Sequence, residues 1–311
     1  MATRRMAGIH SQVMVPVPVL RTKRSPIRWI LRVFALLLSA WLAASFLAEH
    51  ISLHPPRHAA GLTPAHWGMS YSNVTFETAD GLSLRGWWIR GRMHKTVVMI
   101  HGIGSNRDEP LSKSGYLHEA GYNVLVFDLR GSGQSDGSTT FGYREPLDAS
   151  AAAAEAKRLD PGPVALFGYS LGAATAVEDA AVDPNVSAVI EDSGFSSASA
   201  VILDRFVRVT RLPDVPFAAA VMAFSTLDLG TSPWNVQPVA MAAQLHKPLL
   251  AIVGDKDTVV PPVEGFAIFD AAAGPKQLLD VPAAGHVGAY NVARERYEKT
   301  VLDFLAARLT D

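Results

Sequence analysis

Phe167-Gly168-Tyr169-Ser170-Leu171-Gly172 stands between the apolar run Pro163 to Phe167 and the alanine-rich run Ala173 to Val182. A short apolar run that passes directly into helix-forming composition reads as strand, tight turn and helix, with Gly-x-Ser-x-Gly on the turn. On so sharp a turn the serine is forced into strained backbone angles, and side chains two residues to either side would meet the neighbouring strand and helix. Glycine at 168 and 172 removes those collisions. The Ser170 hydroxyl is then expected at the head of a helix, where backbone N–H groups and the helix dipole favour negative charge. An acyl-transfer nucleophile needs that position; a turn of structural use only is the competing reading.

Outward from this stretch, strands alternate with helices. Thr96 to Ile100 is an apolar β-rich run ending in His101-Gly102-Ile103-Gly104, followed by a helical stretch to about Ala120. Tyr122 to Phe127 is the next strand and ends in Asp128-Leu129-Arg130-Gly131-Ser132-Gly133-Gln134-Ser135. Gly142 to Leu159 is an alanine-rich helix, and the strand that carries Ser170 comes next. Ser187 to Ile190, Leu249 to Val253 and Gln277 to Val281 follow as strands, and Ala293 to Leu309 closes the chain as a helix. Upstream, Asp80-Gly81 joins Tyr71 to Thr78 and Leu82 to Arg90 as a hairpin. The alternation implies right-handed crossovers and a mostly parallel sheet with helices on both faces, an α/β fold. Its one interruption, about 194–240, carries two apolar patches punctuated by prolines. An insertion at the carboxyl end of a strand lies over the crevice where such sheets bind ligands, so this segment reads as a lid.

The amino-terminal part differs in composition. Residues 1–28 carry Arg4, Arg5, Arg21, Lys23, Arg24 and Arg28 among prolines and read as a basic tail. Residues 29–48 are apolar apart from Arg32, Ser39 and Ser45, and about twenty helical residues span a bilayer's hydrocarbon. With the basic residues ahead of it, this transmembrane helix places the catalytic domain on the non-cytoplasmic side, periplasmic or extracellular. Ala43-Ala44-Ser45 is a passable cleavage site, so secretion after signal cleavage is the alternative. Residues 49–70 hold His50, His54, His58 and His66 with Pro55, Pro56 and Pro64. The prolines argue against a helical metal site, and the segment reads as a solvated linker to a domain spanning 71–311.

Composition narrows the chemistry. The 311 residues are 49% apolar with a net charge of -1, so a large core is affordable in length and no basic face offers itself to nucleic acid. Cysteine is absent, which excludes thiolate nucleophiles, disulfides and zinc-thiolate sites. Gly131-x-Gly133 lacks both the third glycine of a dinucleotide fingerprint and the lysine of a P-loop. No residue cluster implies a cofactor or a metal.

Ser170 needs a base, and the base needs a carboxylate to hold its tautomer. His246 precedes a strand and falls at the amino edge of the sheet, whereas His286 follows one and shares the edge of Ser170. Asp192, Asp255 and Asp257 all follow strands at that edge; Asp257 reaches furthest into its loop and is preferred, with Asp255 bracing the turn. The backbone N–H groups of Leu171 and Ile103 are the expected oxyanion-hole donors. His101 precedes its turn and reads as a structural histidine.

With these motifs in order, the sequence resembles the α/β-hydrolase superfamily from Tyr71 to the carboxyl terminus. The resemblance rests on His101-Gly102-Ile103-Gly104, Asp128 to Ser135, Gly168-Tyr169-Ser170-Leu171-Gly172, Gly254-Asp255-Lys256-Asp257 and Gly285-His286. It implies an α/β-hydrolase fold, with Ser170, Asp257 and His286 as nucleophile, acid and base and with Asp128 and Arg130 as loop supports. It is most similar to membrane-anchored serine hydrolases with a small cap, whose members are esterases, thioesterases, acylglycerol lipases or peptidases. The expected function is hydrolysis of a carboxylic ester through an acyl-enzyme on Ser170, with a lipophilic acyl group as the narrower expectation. Expected partners are a small-molecule ester or acyl substrate and a membrane. A serine peptidase or amidase with the same triad, and a binding protein that has lost the chemistry, are the alternatives.

Overall fold

The computed structural model describes residues 26–310, and the chain divides into two compact units, Met1–Ala43 and Ala44–Asp311. The described residues of the first unit are helical and nearly all exposed. They begin the helix Pro26–Leu53, which is long and apolar enough to cross a membrane, with a mean hydropathy of 2.1 in its most apolar window. The basic tail up to residue 25 lies outside the described residues. The helix runs five residues past the expected span, to Leu53, because nothing stops it before Pro55 and Pro56. His50 and His54 therefore stack at the end of this helix, ring centroids 4.4 Å apart, rather than lying in a linker.

In the second unit, the described residues form an eight-stranded sheet in the order β1-β2-β4-β3-β5-β6-β7-β8. The strands are β1 (Ser72–Glu77), β2 (Ser83–Ile89), β3 (Thr96–Ile100), β4 (Asn123–Phe127), β5 (Val164–Tyr169), β6 (Val186–Asp192), β7 (Leu249–Gly254) and β8 (Lys276–Val281). The β1–β2 hairpin is antiparallel and β2 lies antiparallel to β4, while β4, β3, β5, β6, β7 and β8 run parallel to one another. Strands β3, β4 and β5 are buried at every residue, as expected where helices cover both faces.

Because successive side chains point to opposite faces, each strand feeds two cores. Val98, Ile100, Leu125, Phe127 and Leu166 pack with the helices Glu145–Leu159, Leu171–Val182 and Pro262–Ala271. Val97, Met99, Val124, Val126 and Phe167 pack with Gly115–Ala120 and Arg294–Arg308. Burial of each large side chain here stabilises the fold by about 1.5–3 kcal/mol.

The chain leaves β3 for β4 on one side and returns to β5 on the other. The loops after β3 and β5 therefore diverge and leave a crevice at the carboxyl ends of the strands, the usual ligand position in such sheets. Between β6 and β7 stand the helices Ala198–Thr210, Asp214–Phe217, Ala219–Leu229 and Pro238–Ala242. The alanine-rich helix begins at Glu145 rather than Gly142. The Glu145 carboxylate accepts hydrogen bonds from Thr139 Oγ1, Thr140 N and Gly142 N, which holds the preceding residues in a loop.

Several acids are buried among these elements with little compensation. Burial raises Glu178 on the helix after Ser170, Asp179 beside it and Glu191 on β6 to about 8 each. Carboxyls raised in the fold favour it fully below their unfolded values. That contribution is lost as pH rises towards the folded values, at up to about 1.4 kcal/mol per pH unit for each proton. Glu178→Gln is expected to melt higher than the parent at pH ~8 and to lose less stability between pH ~5 and ~8, by thermal denaturation at both values. An identical pH dependence in the two proteins would contradict this.

Candidate active site

The residues singled out by sequence meet at the crevice between β3 and β5. Ser170, with φ 54° and ψ -115°, stands between β5 and the helix Leu171–Val182. A Cβ on Gly172 would stand 2.3 Å from the Ile100 carbonyl oxygen and 2.6 Å from that of His101, and one on Gly168 would stand 2.0 Å from the Gly172 oxygen. Backbone cannot yield at those distances, so both positions require glycine. The serine turn is held by its own N–H, which donates to the Asp192 carbonyl at 2.9 Å.

His286 Nε2 lies 2.9 Å from Ser170 Oγ, and His286 Nδ1 lies 2.7 Å from Asp257 Oδ2. A carboxylate can only accept, so the neutral imidazole carries its hydrogen on Nδ1 and turns the Nε2 lone pair to the serine hydroxyl. Asp257 is oriented in turn: its Oδ1 accepts the N–H groups of Val259 and Val260 at 2.8 and 2.9 Å. Asp255 makes a different contact, accepting the Ala283 N–H at 2.6 Å and so bracing the loop that carries His286. His246 precedes the amino end of β7, at the opposite edge from Ser170.

Asp192 does not reach His286 as its acid. It is fully buried at the end of β6, accepting from Ser193 Oγ at 2.9 Å and from Tyr297 OH at 2.8 Å. Ser193 Oγ in turn accepts the Val287 N–H at 3.1 Å, next to the histidine. Lys113, its ammonium 4.3 Å from the Tyr169 ring centroid, supplies an attractive charge to Asp192. This network ties the His286 loop to the sheet. Sequence reasoning missed Ser193, Tyr297 and Lys113, since no spacing links them to His286; Tyr297 shows only as an inward residue of the last helix.

The loops after β3 and β4 are cross-braced. His101 is fully buried, and burial holds its pKa below the ordinary value. Its Nε2 accepts the Leu129 N–H at 3.0 Å while Nδ1 faces the Gly102 carbonyl at 2.7 Å, so the proton sits on Nδ1. Asp128 accepts the N–H groups of Arg107 and Gln134, both at 2.9 Å. Gly133, at φ 47°, passes so close that a Cβ would fall 2.1 Å from Asp128 Oδ2. Arg130 is buried between Asp148 and Asp80, at 2.7 and 2.9 Å. The loop from Asp128 to Ser135 is thus filled by its own carboxylate.

Gly102 brings the first of these loops against the serine, its hypothetical Cβ only 3.2 Å from Ser170 Cβ. Leu171 is the first residue of its helix, where N–H groups have no partner within the helix. Leu171 and Ile103 both border the cavity that opens on Ser170.

Comparison with known proteins agrees with this architecture. A family model described as the alpha/beta hydrolase fold matches residues 95–215. Uncharacterized protein YqkD of Bacillus subtilis is 29% identical over 76% of this chain and 80% of its own length. Uncharacterized protein Rv2307c of Mycobacterium tuberculosis is 29% identical over 79% of this chain and 81% of its own. Among solved structures, the esterase Pf2001 of Pyrococcus furiosus superposes with a TM-score of 0.70 at 27% identity, covering 83% of this chain and 99% of that one. The acetyl xylan esterase of Paenibacillus sp. R4 shares the fold at a TM-score of 0.62 and 19% identity, covering 86% and 93%. The chain has the α/β-hydrolase fold.

Proposed function

We propose that this chain is a serine hydrolase that cleaves a carboxylic ester through an acyl-enzyme. The observation that carries the reading is the continuous chain of contacts from Ser170 Oγ through His286 to Asp257, at 2.9 and 2.7 Å. Its likeness to the Pyrococcus furiosus esterase supports an ester as the bond cleaved.

Ser170 Oγ attacks the ester carbonyl carbon while its proton passes to His286 Nε2. Asp257 stabilises the imidazolium, and the N–H groups of Ile103 and Leu171 bind the oxyanion, each worth about 3 kcal/mol. Collapse breaks the bond to the alcohol oxygen, which leaves with the proton from His286. Water then repeats the sequence on the acyl-serine: its proton goes to His286, the carboxylic acid departs and Ser170 recovers its hydrogen. No cofactor or metal enters any step.

The helix Pro26–Leu53 would hold the enzyme at a membrane, with the catalytic domain on the non-cytoplasmic side. Its apolar length and the basic residues ahead of it support this.

Two outcomes are expected. Ser170→Ala loses at least ~10⁴-fold in kcat on a short chromogenic ester while keeping the parent's melting behaviour; unchanged turnover would rule the assignment out. Membranes from cells expressing the full chain retain it after an alkaline carbonate wash, and its complete release into the wash would remove the anchor.

A further inference from the structure

A cavity of about 320 Å³ opens on Ser170. It is bordered by Ile103, Leu171, Phe141 and Phe195, and by Val201, Ile202, Phe206, Val209 and Val221 of the helical insertion. Part of its wall comes from a segment whose composition does not connect it with the site. Ala48, Glu49, Ile51, Ser52 and Leu53, the last turns of the helix Pro26–Leu53, line it.

These turns belong to the same compact unit as the sheet, and they are fixed to the insertion. Ser45, Glu49 and Leu53, spaced by four along one helix face, are only 5%, 3% and 2% exposed. Phe46 meets the edge of Phe224 at 5.5 Å between ring centroids, and His54 Nε2 lies 3.6 Å from Asp228 Oδ2. Two charged residues, Glu49 and Arg205, lie on this wall. Glu49 faces Asp228 and Arg205 is exposed to solvent.

A mostly apolar space that includes a nucleophile in its wall and lacks a buried cation suits a hydrocarbon chain. We infer that the cavity is the site for the fatty acyl chain of the substrate ester, and that the end of the amino-terminal helix, Ala48 to Leu53, is a specificity-determining wall of it. The inference rests on the hydrolase reading above. It makes one helix serve both the candidate membrane span and the acyl site, so the substrate class is a fatty-acyl ester of the kind that partitions into membranes.

Ser52 is half-buried on this wall, its hydroxyl donating to the Ala48 carbonyl at 2.7 Å. An indole at that position would occupy the cavity. The test compares kcat/KM for p-nitrophenyl octanoate and p-nitrophenyl acetate, using the full chain in detergent. The parent is expected to favour octanoate at least tenfold, and Ser52→Trp to lower the octanoate-to-acetate ratio at least tenfold. Leu47→Trp, on the same helix but off the cavity, should keep the parent's ratio. Ala48→Trp carries the expectation of Ser52→Trp should that variant not fold.

A parent without preference for octanoate, or a Ser52→Trp protein that keeps the preference, overturns this inference and leaves the hydrolase reading standing. Faster cleavage of octyl acetate than of its isomer ethyl octanoate also overturns it, by putting the chain on the alcohol side. A parent with no Ser170-dependent hydrolysis of any of these esters overturns both.

Discussion

The backbone can reverse between β5 and its following helix only because residues 168 and 172 carry no Cβ. With backbone oxygens 2.0 to 2.6 Å from where those carbons would stand, the strand, the helix and the end of β3 are in close contact. That contact holds Ser170 at a positive φ, a conformation that costs a non-glycine residue about 1–3 kcal/mol and persists only when its surroundings leave no alternative. The placement of the serine hydroxyl, the start of the helix at Leu171 and the approach of the Gly102 loop all follow from this one constraint.

The remaining members of the site are held by buried polar groups rather than by apolar packing alone. Asp192, itself held by Tyr297, fixes the loop of His286 through Ser193. Asp128 and His101 fix the loops on the other side of the crevice. Each of these groups is fully buried, where an unmet hydrogen bond costs about 1–3 kcal/mol, so the loops have little freedom to move without loss. The three contacting residues are thereby kept in register by separate anchors on the sheet.

The strands were legible because their residues are apolar, β-rich and bounded by glycine, as with Thr96 to Ile100 before His101-Gly102. The edge of the sheet on which each polar residue falls followed from which strand it ends, and that separated His286 from His246. What the sequence did not show depends on contacts between distant segments. Tyr297 reaches Asp192 across 105 residues, and nothing in the spacing of either marks the pair. The end of the amino-terminal helix was misread for a related reason. Its buried face consists of Ser45, Glu49 and Leu53, too polar to suggest packing, and the nearby prolines drew the boundary earlier than Pro55 sets it.

Activation of Ser170 by His286 is what the proposed function requires. It is tested most directly by treating the full chain with a fluorophosphonate and locating the adduct by peptide mass spectrometry. A single adduct on Ser170 that disappears in His286→Ala is the predicted result. An adduct on another residue, or undiminished labelling of Ser170 without the imidazole, would contradict it.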